Sequence, residues 1–189
     1  IVAFWPKGFD QNYPDYLPPN KNYGTLEELR ELDDTAHKQG LLVMPYTNPT
    51  WWNDSPTVQK LGRENIAVKN LGGNVVEESY WNGQNWGIVV CPYHPDVIAR
   101  KKQTLKEFTE TVPCDLLFED QLGARWGMYD LNPKAKSPIS YKQGLIDTAR
   151  QSSKKLPVMT EAGYDGLLPY SVGFCGVTVN NTLPPDAFY

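Results

Sequence analysis

The sequence predicts an α/β fold, namely a partial (β/α) barrel of about four to five βα units with long loops after the strands. Amphipathic helical segments alternate with short apolar runs, which indicates parallel strands joined by helical crossovers. The segments after the apolar runs are long and irregular, whereas the helix-to-strand connections are very short. Two of the runs end in a carboxylate, so polar chemistry is expected at one end of the sheet.

The first units have clear start and stop signals. Residues 2–5 are apolar and are predicted as the first strand. A helix is predicted from Thr25 to about Gln39, because Thr25 and Glu28 have capping-box spacing and Gly40 suits the position after a helix. Residues 41–46 follow at once and are predicted as a buried strand.

The next stretch, residues 47–94, has no long periodic element. Turn signals within it predict a hairpin over residues 75–90 with Asn82-Gly83 as its turn. A second helix is predicted to start near Pro95 and to stop before Pro113.

The last part of the chain repeats the pattern of strand, loop and helix. Residues 115–120 and 158–161 are predicted as buried strands, with a helix over about residues 140–154 between them. A fifth strand is indicated near residues 174–179. An open doubly wound sheet is the rival architecture, but no glycine-rich phosphate loop follows any strand.

The chain is predicted to be a single, partial catalytic-barrel domain over residues 1–189. A complete barrel needs eight strands and about 250 residues, so the remainder of the barrel is expected in the full-length protein.

Composition argues against several classes of partner. The formal net charge of −4 gives no electrostatic basis for binding nucleic acid. No apolar run approaches the roughly 20 residues of a membrane span. The 3 cysteines are too scattered for a disulfide framework, and the 2 histidines, His37 and His94, make no credible metal site. We therefore expect no metal and no cofactor.

The two strand-end acids are Asp120 and Glu161. Burying an unpaired carboxylate is costly, so an acid at a strand mouth usually has a function there. Two carboxylates on neighbouring strand mouths suit glycoside hydrolysis, in which one acts as nucleophile or base and the other as acid. Either acid could instead pair with Arg125 or a loop amide. Glu119 should point the opposite way, unless the strand register differs by one residue.

Polar and aromatic residues after the strands are candidates for binding sugar. Amide and carboxylate groups can read hydroxyls, and aromatic faces pack on the apolar C–H groups of a sugar. The candidate substrate-binding residues are Asp10, Tyr46, Asn48, Trp51, Trp52, Glu119, Arg125, Trp126 and Tyr164. Packing of the loops on their own aromatics is the alternative interpretation.

Four segments resemble a known family. Residues 9–19 and 36–49 look like the second and third barrel units of bacterial glycoside hydrolases, and the helix end that feeds the strand at 41–46 is shared with α-amylase-like and α-galactosidase-like barrels. Residues 117–120 and 160–163 resemble the fourth and fifth strand ends of the endo-α-N-acetylgalactosaminidase-like branch and its uncharacterised relatives. This resemblance implies that Asp120 is the nucleophile and Glu161 the acid/base of a retaining enzyme on an α-glycoside. The chain departs from the family by lacking the first barrel strand and the last three.

These observations predict a retaining glycoside hydrolase that acts on an α-linked oligosaccharide or glycoside. The main alternative is a non-catalytic carbohydrate-binding barrel fragment, whose acids would only form hydrogen bonds. A barrel hydrolase or isomerase with a non-sugar substrate is a third hypothesis. From the substrate class, we expect a secreted or periplasmic protein.

Overall fold

The computed structural model describes residues 1–80 and 83–176 of the chain. Its central sheet has four parallel strands, which are, in spatial order, Tyr46–Thr47 (β1), Leu117–Glu119 (β5), Val158–Glu161 (β6) and Gly173–Cys175 (β7). Each is preceded by a helix or helical turn, in order Leu26–Lys38 (α1), Pro95–Lys106 (α4), Tyr141–Ser152 (α5) and a 3₁₀ turn at Asp165–Tyr170. The chain thus has the α/β architecture of a partial (β/α) barrel, as the sequence predicts.

A smaller antiparallel sheet is inserted between β1 and α4. Its strands are Trp51–Asn53 (β2), Glu77–Tyr80 (β3) and Asn85–Val89 (β4), with β4 in the middle. The β3–β4 pair confirms the predicted hairpin, although Asn82 of its predicted turn lies outside the described residues. Two short helices in the same connection, Pro56–Leu61 (α2) and Arg63–Ile66 (α3), are not predicted by the sequence pattern.

The prediction of a first strand at residues 2–5 is wrong, because these residues are not in a strand in the structure. Ile1 contacts the central sheet, where its carbonyl accepts a hydrogen bond from the Tyr46 N–H at 2.9 Å. Ala3 then has a φ of 60°, in the left-handed region, which a β-strand does not adopt. Phe4 and Trp5 are buried, so this apolar run supplies core instead of a strand.

The predicted strand at residues 41–46 is shorter than expected. Only Tyr46–Thr47 has regular pairing. The Val43 N–H donates to Asp115 Oδ2 at 2.6 Å, and Pro45 has no N–H to donate. Regular pairing therefore starts only after the proline.

Strand β7, which corresponds to the fifth strand indicated by the sequence, partly matches its prediction. It covers Gly173–Cys175, whereas the apolar run indicates residues 174–179. Residues 177–179 lie outside the described residues. The strand pairs with β6 through Met159 and Gly173 and extends the parallel sheet.

The three predicted helices are confirmed to within a few residues at their ends. The capping box of α1 is formed, since Thr25 Oγ1 accepts from the Glu28 N–H and Glu28 Oε2 accepts from the Thr25 N–H. Helix α4 continues through a π-helical turn, Glu107–Thr111, and ends before Pro113. Within the described ranges, no helix has both the length and the apolar character needed to cross a membrane.

Aromatic side chains from the long loops form much of the core. The largest buried ones are Trp5, Tyr13, Tyr16, Trp51 and Trp52. The Tyr13 ring centroid lies 5.3 Å from that of Trp5 and 6.1 Å from that of Trp51. The loops after the first segment and after β1 are thus held together by their own aromatics.

Helix α5 packs closely on the turn before α4, and a single glycine permits this contact. A Cβ added at Gly144 would lie 2.3 Å from Pro92 Cγ. We predict that Gly144→Ala destabilises the protein by about 1–3 kcal/mol through overpacking, although alanine is the better helix former by about 0.5–1 kcal/mol. The measurement is the free energy of unfolding in urea.

Gly127→Ala is the matched control, because a Cβ there meets nothing within 4 Å. We expect the control to change stability little. Equal or greater stability of Gly144→Ala would show that the close contact is not required.

Candidate active site

The candidate site is built from two carboxylates on adjacent strands. In the pairing of β5 with β6, Glu119 lies opposite Thr160. Asp120 and Glu161, each the next residue along its strand, are therefore side by side at the C-terminal edge of the sheet. Neighbouring strands lie about 4.8 Å apart, and the charge of Glu161 acts on the Asp120 carboxyl.

Alternation along the strands separates Asp120 from its neighbour Glu119. Glu119 lies on the helix side of the sheet, where its Oε1 accepts from Ser152 Oγ of α5 at 2.7 Å. It is 4% exposed, and burial raises the pKa of its carboxyl while nearby Lys101 opposes this rise. The prediction that Glu119 binds substrate is therefore corrected, because the helix layer covers this side chain.

Asp120 is held in a polar but largely buried position. It is 9% exposed, and its Oδ2 accepts from Asn48 Nδ2 at 3.2 Å. Its pKa is raised to about 7, chiefly by burial; a hydrogen bond from Tyr46 lowers the pKa, and the charges of Glu161 and Asp10 contribute to the rise. A carboxyl with this pKa can be ionised near neutral pH and still be sensitive to its neighbours.

Tyr46 is fixed by stacking beneath the site. Its ring is stacked between Trp5 and Phe118, with centroid distances of 5.8 and 5.2 Å. Burial raises the pKa of the Tyr46 phenol, and the Asp120 carboxylate raises it further. The hydroxyl therefore stays protonated and can donate to Asp120.

Asp10 belongs to the same electrostatic cluster. Its Oδ1 accepts from the Tyr13 hydroxyl at 3.0 Å, and its backbone carbonyl accepts from Asn53 Nδ2 at 3.1 Å. The Asp10 carboxylate contributes to the raised pKa of both Asp120 and Tyr46. The fold thus brings five of the predicted residues together, namely Asp10, Tyr46, Asn48, Asp120 and Glu161.

Trp51 and Trp52 are not available as sugar platforms, which corrects that prediction. Both side chains are 0% exposed. Trp51 packs edge-on against Tyr80 at 4.9 Å, and its indole N–H donates to the Glu78 carbonyl at 3.3 Å. Additional chain could only bury these indoles further.

The remaining candidates have different surroundings. Arg125 is buried, and its guanidinium forms two hydrogen bonds with Glu78, at 2.9 and 2.7 Å. These hydrogen bonds occupy the N–H groups with which Arg125 would otherwise bind a substrate.

Tyr164 is partly buried, with the Lys142 ammonium 4.0 Å from its ring centroid. Trp126, in contrast, is 85% exposed in this part of the protein.

The backbone after each acid is in an unusual conformation. Gln121 follows Asp120 with a φ of 61°, and Ala162 follows Glu161 with a φ of 52°. Such conformations cost energy for residues other than glycine and are concentrated at functional sites. Neither residue type gives a sequence signal for a left-handed conformation.

The loops after the two acids also interlock. The Gly123 N–H donates to Thr160 Oγ1 at 3.0 Å, and a Cβ at Gly123 would lie 2.2 Å from the Ala162 carbonyl oxygen. This contact fixes the loop that follows Asp120 against the backbone that follows Glu161. Sequence reasoning missed Gly123, because a glycine in a loop has many ordinary explanations.

The fold is that of glycoside hydrolase domains. An α-N-acetylgalactosaminidase from Bifidobacterium bifidum matches with a TM-score of 0.76 and 18% identity, over 92% of this chain and 28% of that one. A sulfoquinovosidase from E. rectale matches with a TM-score of 0.64 and 16% identity, over 92% of this chain and 26% of that one. An α-galactosidase from Thermus thermophilus matches with a TM-score of 0.64 and 15% identity, over 88% of this chain and 33% of that one. The chain therefore spans about a quarter to a third of these structures.

The chain belongs to the family described as Domain of unknown function (DUF6259), which matches residues 2–143. The matched region contains Asp120 and ends before Glu161. A search of curated protein sequences found no match.

The proximity of the two acids can be tested by titration. We predict that Glu161→Gln lowers the pKa of Asp120, because it removes a negative charge that disfavours ionisation. The measurement is a ¹³C NMR titration of aspartate carboxyls in the full-length protein, with the Asp120 signal identified by its loss in Asp120→Asn. Glu31→Gln, at an exposed position on α1, is the control and should leave this pKa unchanged. An equal response to both substitutions would mean that the acids are not neighbours.

Proposed function

We propose that the protein containing this chain is a retaining glycoside hydrolase that acts on an α-linked glycan, with Asp120 as nucleophile and Glu161 as acid/base. The observation that carries the proposal is the juxtaposition of these carboxylates at the C-terminal ends of adjacent strands. Active sites of (β/α) barrels lie at that end of the strands. The proposal requires the two carboxyl groups to lie about 5–5.5 Å apart when substrate is bound, as in retaining glycosidases.

In the first step, an ionised Asp120 oxygen attacks the anomeric carbon of the bound sugar. The bond from that carbon to the glycosidic oxygen breaks, and the Glu161 carboxylic acid gives its proton to the departing oxygen. The products are a free alcohol, a glycosyl ester on Asp120 and an ionised Glu161.

In the second step, Glu161 acts as a base. It removes a proton from a water molecule as the water oxygen attacks the anomeric carbon, and the ester bond to Asp120 breaks. Asp120 regains its carboxylate and Glu161 its proton. Two inversions at one carbon leave the α configuration unchanged.

The assignment of Asp120 as nucleophile follows the resemblance of residues 117–120 to a fourth barrel strand end, and two hydrogen bonds to Asp120 fit this role. It must be ionised to attack, and it accepts hydrogen bonds from Asn48 Nδ2 and from the Tyr46 hydroxyl. Both donors favour the charged form, against the burial that raises the pKa.

Two further residues support sugar binding beside the acids. Asp10 offers a carboxylate held by Tyr13, which can accept hydrogen bonds from a pair of sugar hydroxyls. The exposed Trp126 follows β5 and offers an apolar face. The α-linkage is supported by the names of two structural neighbours, an α-N-acetylgalactosaminidase and an α-galactosidase.

The proposal is tested by replacing each acid in the full-length protein. We predict that Glu161→Gln lowers kcat/KM by about 10²–10⁴-fold, the usual contribution of general acid–base catalysis, and that Asp120→Asn has at least as large an effect. With an aryl α-glycoside whose leaving group needs no protonation, Glu161→Gln should still form the glycosyl-enzyme, and a burst of phenol should precede slow turnover.

Asp34→Asn and Glu31→Gln, both at exposed positions on α1, are the matched controls. They should keep wild-type rates. Wild-type hydrolysis by either site variant would remove that acid from the mechanism. Binding of oligosaccharide without turnover by the unmodified protein would favour a carbohydrate-binding function.

A further inference from the structure

Asn48 occupies an unusual place beside the candidate nucleophile. It follows β1, is 1% exposed, and donates from Nδ2 to Asp120 Oδ2 at 3.2 Å. A side chain so deeply buried has no surface to offer to a sugar hydroxyl. The prediction that Asn48 binds substrate directly is therefore corrected, and its contact with Asp120 requires another explanation.

The orientation of the Asn48 amide is fixed by its own oxygen. Oδ1 accepts from the backbone N–H groups of Thr50 and Trp51, at 3.0 and 2.9 Å. Because N–H groups only donate, the amide cannot be flipped, and its NH₂ group must face Asp120. The backbone of Asn48 is also held, since its N–H donates to the Tyr16 hydroxyl and its carbonyl accepts from that hydroxyl.

A polar chain continues from Asn48 to the small sheet. Thr50 Oγ1 accepts from Arg125 Nε at 2.7 Å. Its own hydrogen is thereby directed to an acceptor, either Asn48 Oδ1 at 3.0 Å or Gln121 Oε1 at 3.1 Å. Arg125 is in turn held by Glu78 of β3.

We infer that Asn48 is a positioning residue for Asp120, the proposed nucleophile. The backbone N–H groups of Thr50 and Trp51 hold its amide in the donating orientation, and the Thr50 hydroxyl, within reach of Asn48 Oδ1, links this site to Arg125 and Glu78. This inference deepens the proposed function and rests on it. A fixed N–H donor restricts the rotation of the Asp120 carboxylate and favours its charged form, which is the form that attacks. Tyr46, Glu161 and Asp10 also interact with Asp120, and the substitutions below leave all three in place.

The first test is Asn48→Asp in the full-length protein. This variant keeps an acceptor for the N–H groups of Thr50 and Trp51, but it replaces the donor that faces Asp120 with a second carboxylate oxygen. In the pH profile of kcat/KM, activity falls on the acid side as the nucleophile becomes protonated. We expect this acid limb to move to higher pH by about one unit or more, because two close carboxylates share one proton. KM measured above the limb should change less than kcat.

The second test is a matched pair at Thr50. Thr50→Val removes the hydroxyl at nearly constant volume, whereas Thr50→Ser keeps it. We expect Thr50→Val to shift the acid limb in the same direction by a smaller amount and Thr50→Ser to leave it in place. This pair decides the question if Asn48→Asp does not fold, and thermal unfolding of each variant provides the check.

A ¹³C titration of the Asp120 carboxyl separates this inference from the proposed function. A raised apparent pKa in Asn48→Asp would support the positioning contact even if Asp120→Asn kept full hydrolysis, in which case only the proposed function would fail. An unchanged pKa and acid limb in both Asn48→Asp and Thr50→Val would overturn the inference. A raised KM with an unchanged acid limb would also overturn it and would point to substrate binding.

Discussion

The arrangement of the candidate site depends on the in-register pairing of β5 with β6. Side chains alternate between the two faces of a strand, so the pairing of Glu119 with Thr160 sends both of these to the helix side and leaves Asp120 and Glu161 together at the strand mouths. A slip of one residue would exchange the two faces. It would turn Asp120 to the helix side and bring Glu119 to the mouth. The contact of Glu119 with Ser152 on the helix side supports the present register.

Contacts between the loops hold the backbone around the two acids in place. The Gly123 N–H donates to Thr160 Oγ1 across the two acid strands, and the residue after each acid has a left-handed backbone conformation. On the other side of Asp120, the chain from Glu78 through Arg125 to Thr50 connects the small sheet to the Asn48 amide. The hairpin insertion therefore takes part in the site, although it carries neither acid.

The elements that the sequence predicts well have local causes. The capping box at Thr25 and the strand-end acids involve neighbouring residues, so they can be read directly.

The first strand could not be predicted correctly, because its apolar run suits a strand as well as it suits a buried loop, and the left-handed Ala3 gives no signal in the sequence. Trp51 and Trp52 follow a strand as binding residues often do, yet tertiary packing buries them. The role of Asn48 depends on contacts with Thr50 and Asp120 that exist only after folding.

The proposed role of Asp120 as nucleophile is tested most directly by trapping the glycosyl-enzyme. The full-length protein would be treated with a fluorinated α-glycosyl fluoride, in which the ring fluorine slows hydrolysis of the covalent intermediate, and its peptides would be analysed by mass spectrometry. We expect one added sugar in ester linkage on Asp120, with the same label accumulating in the control variant Asp34→Asn and absent in Asp120→Asn. A label on Glu119 or Glu161, or turnover that releases the β-anomer with no label, would contradict this mechanism.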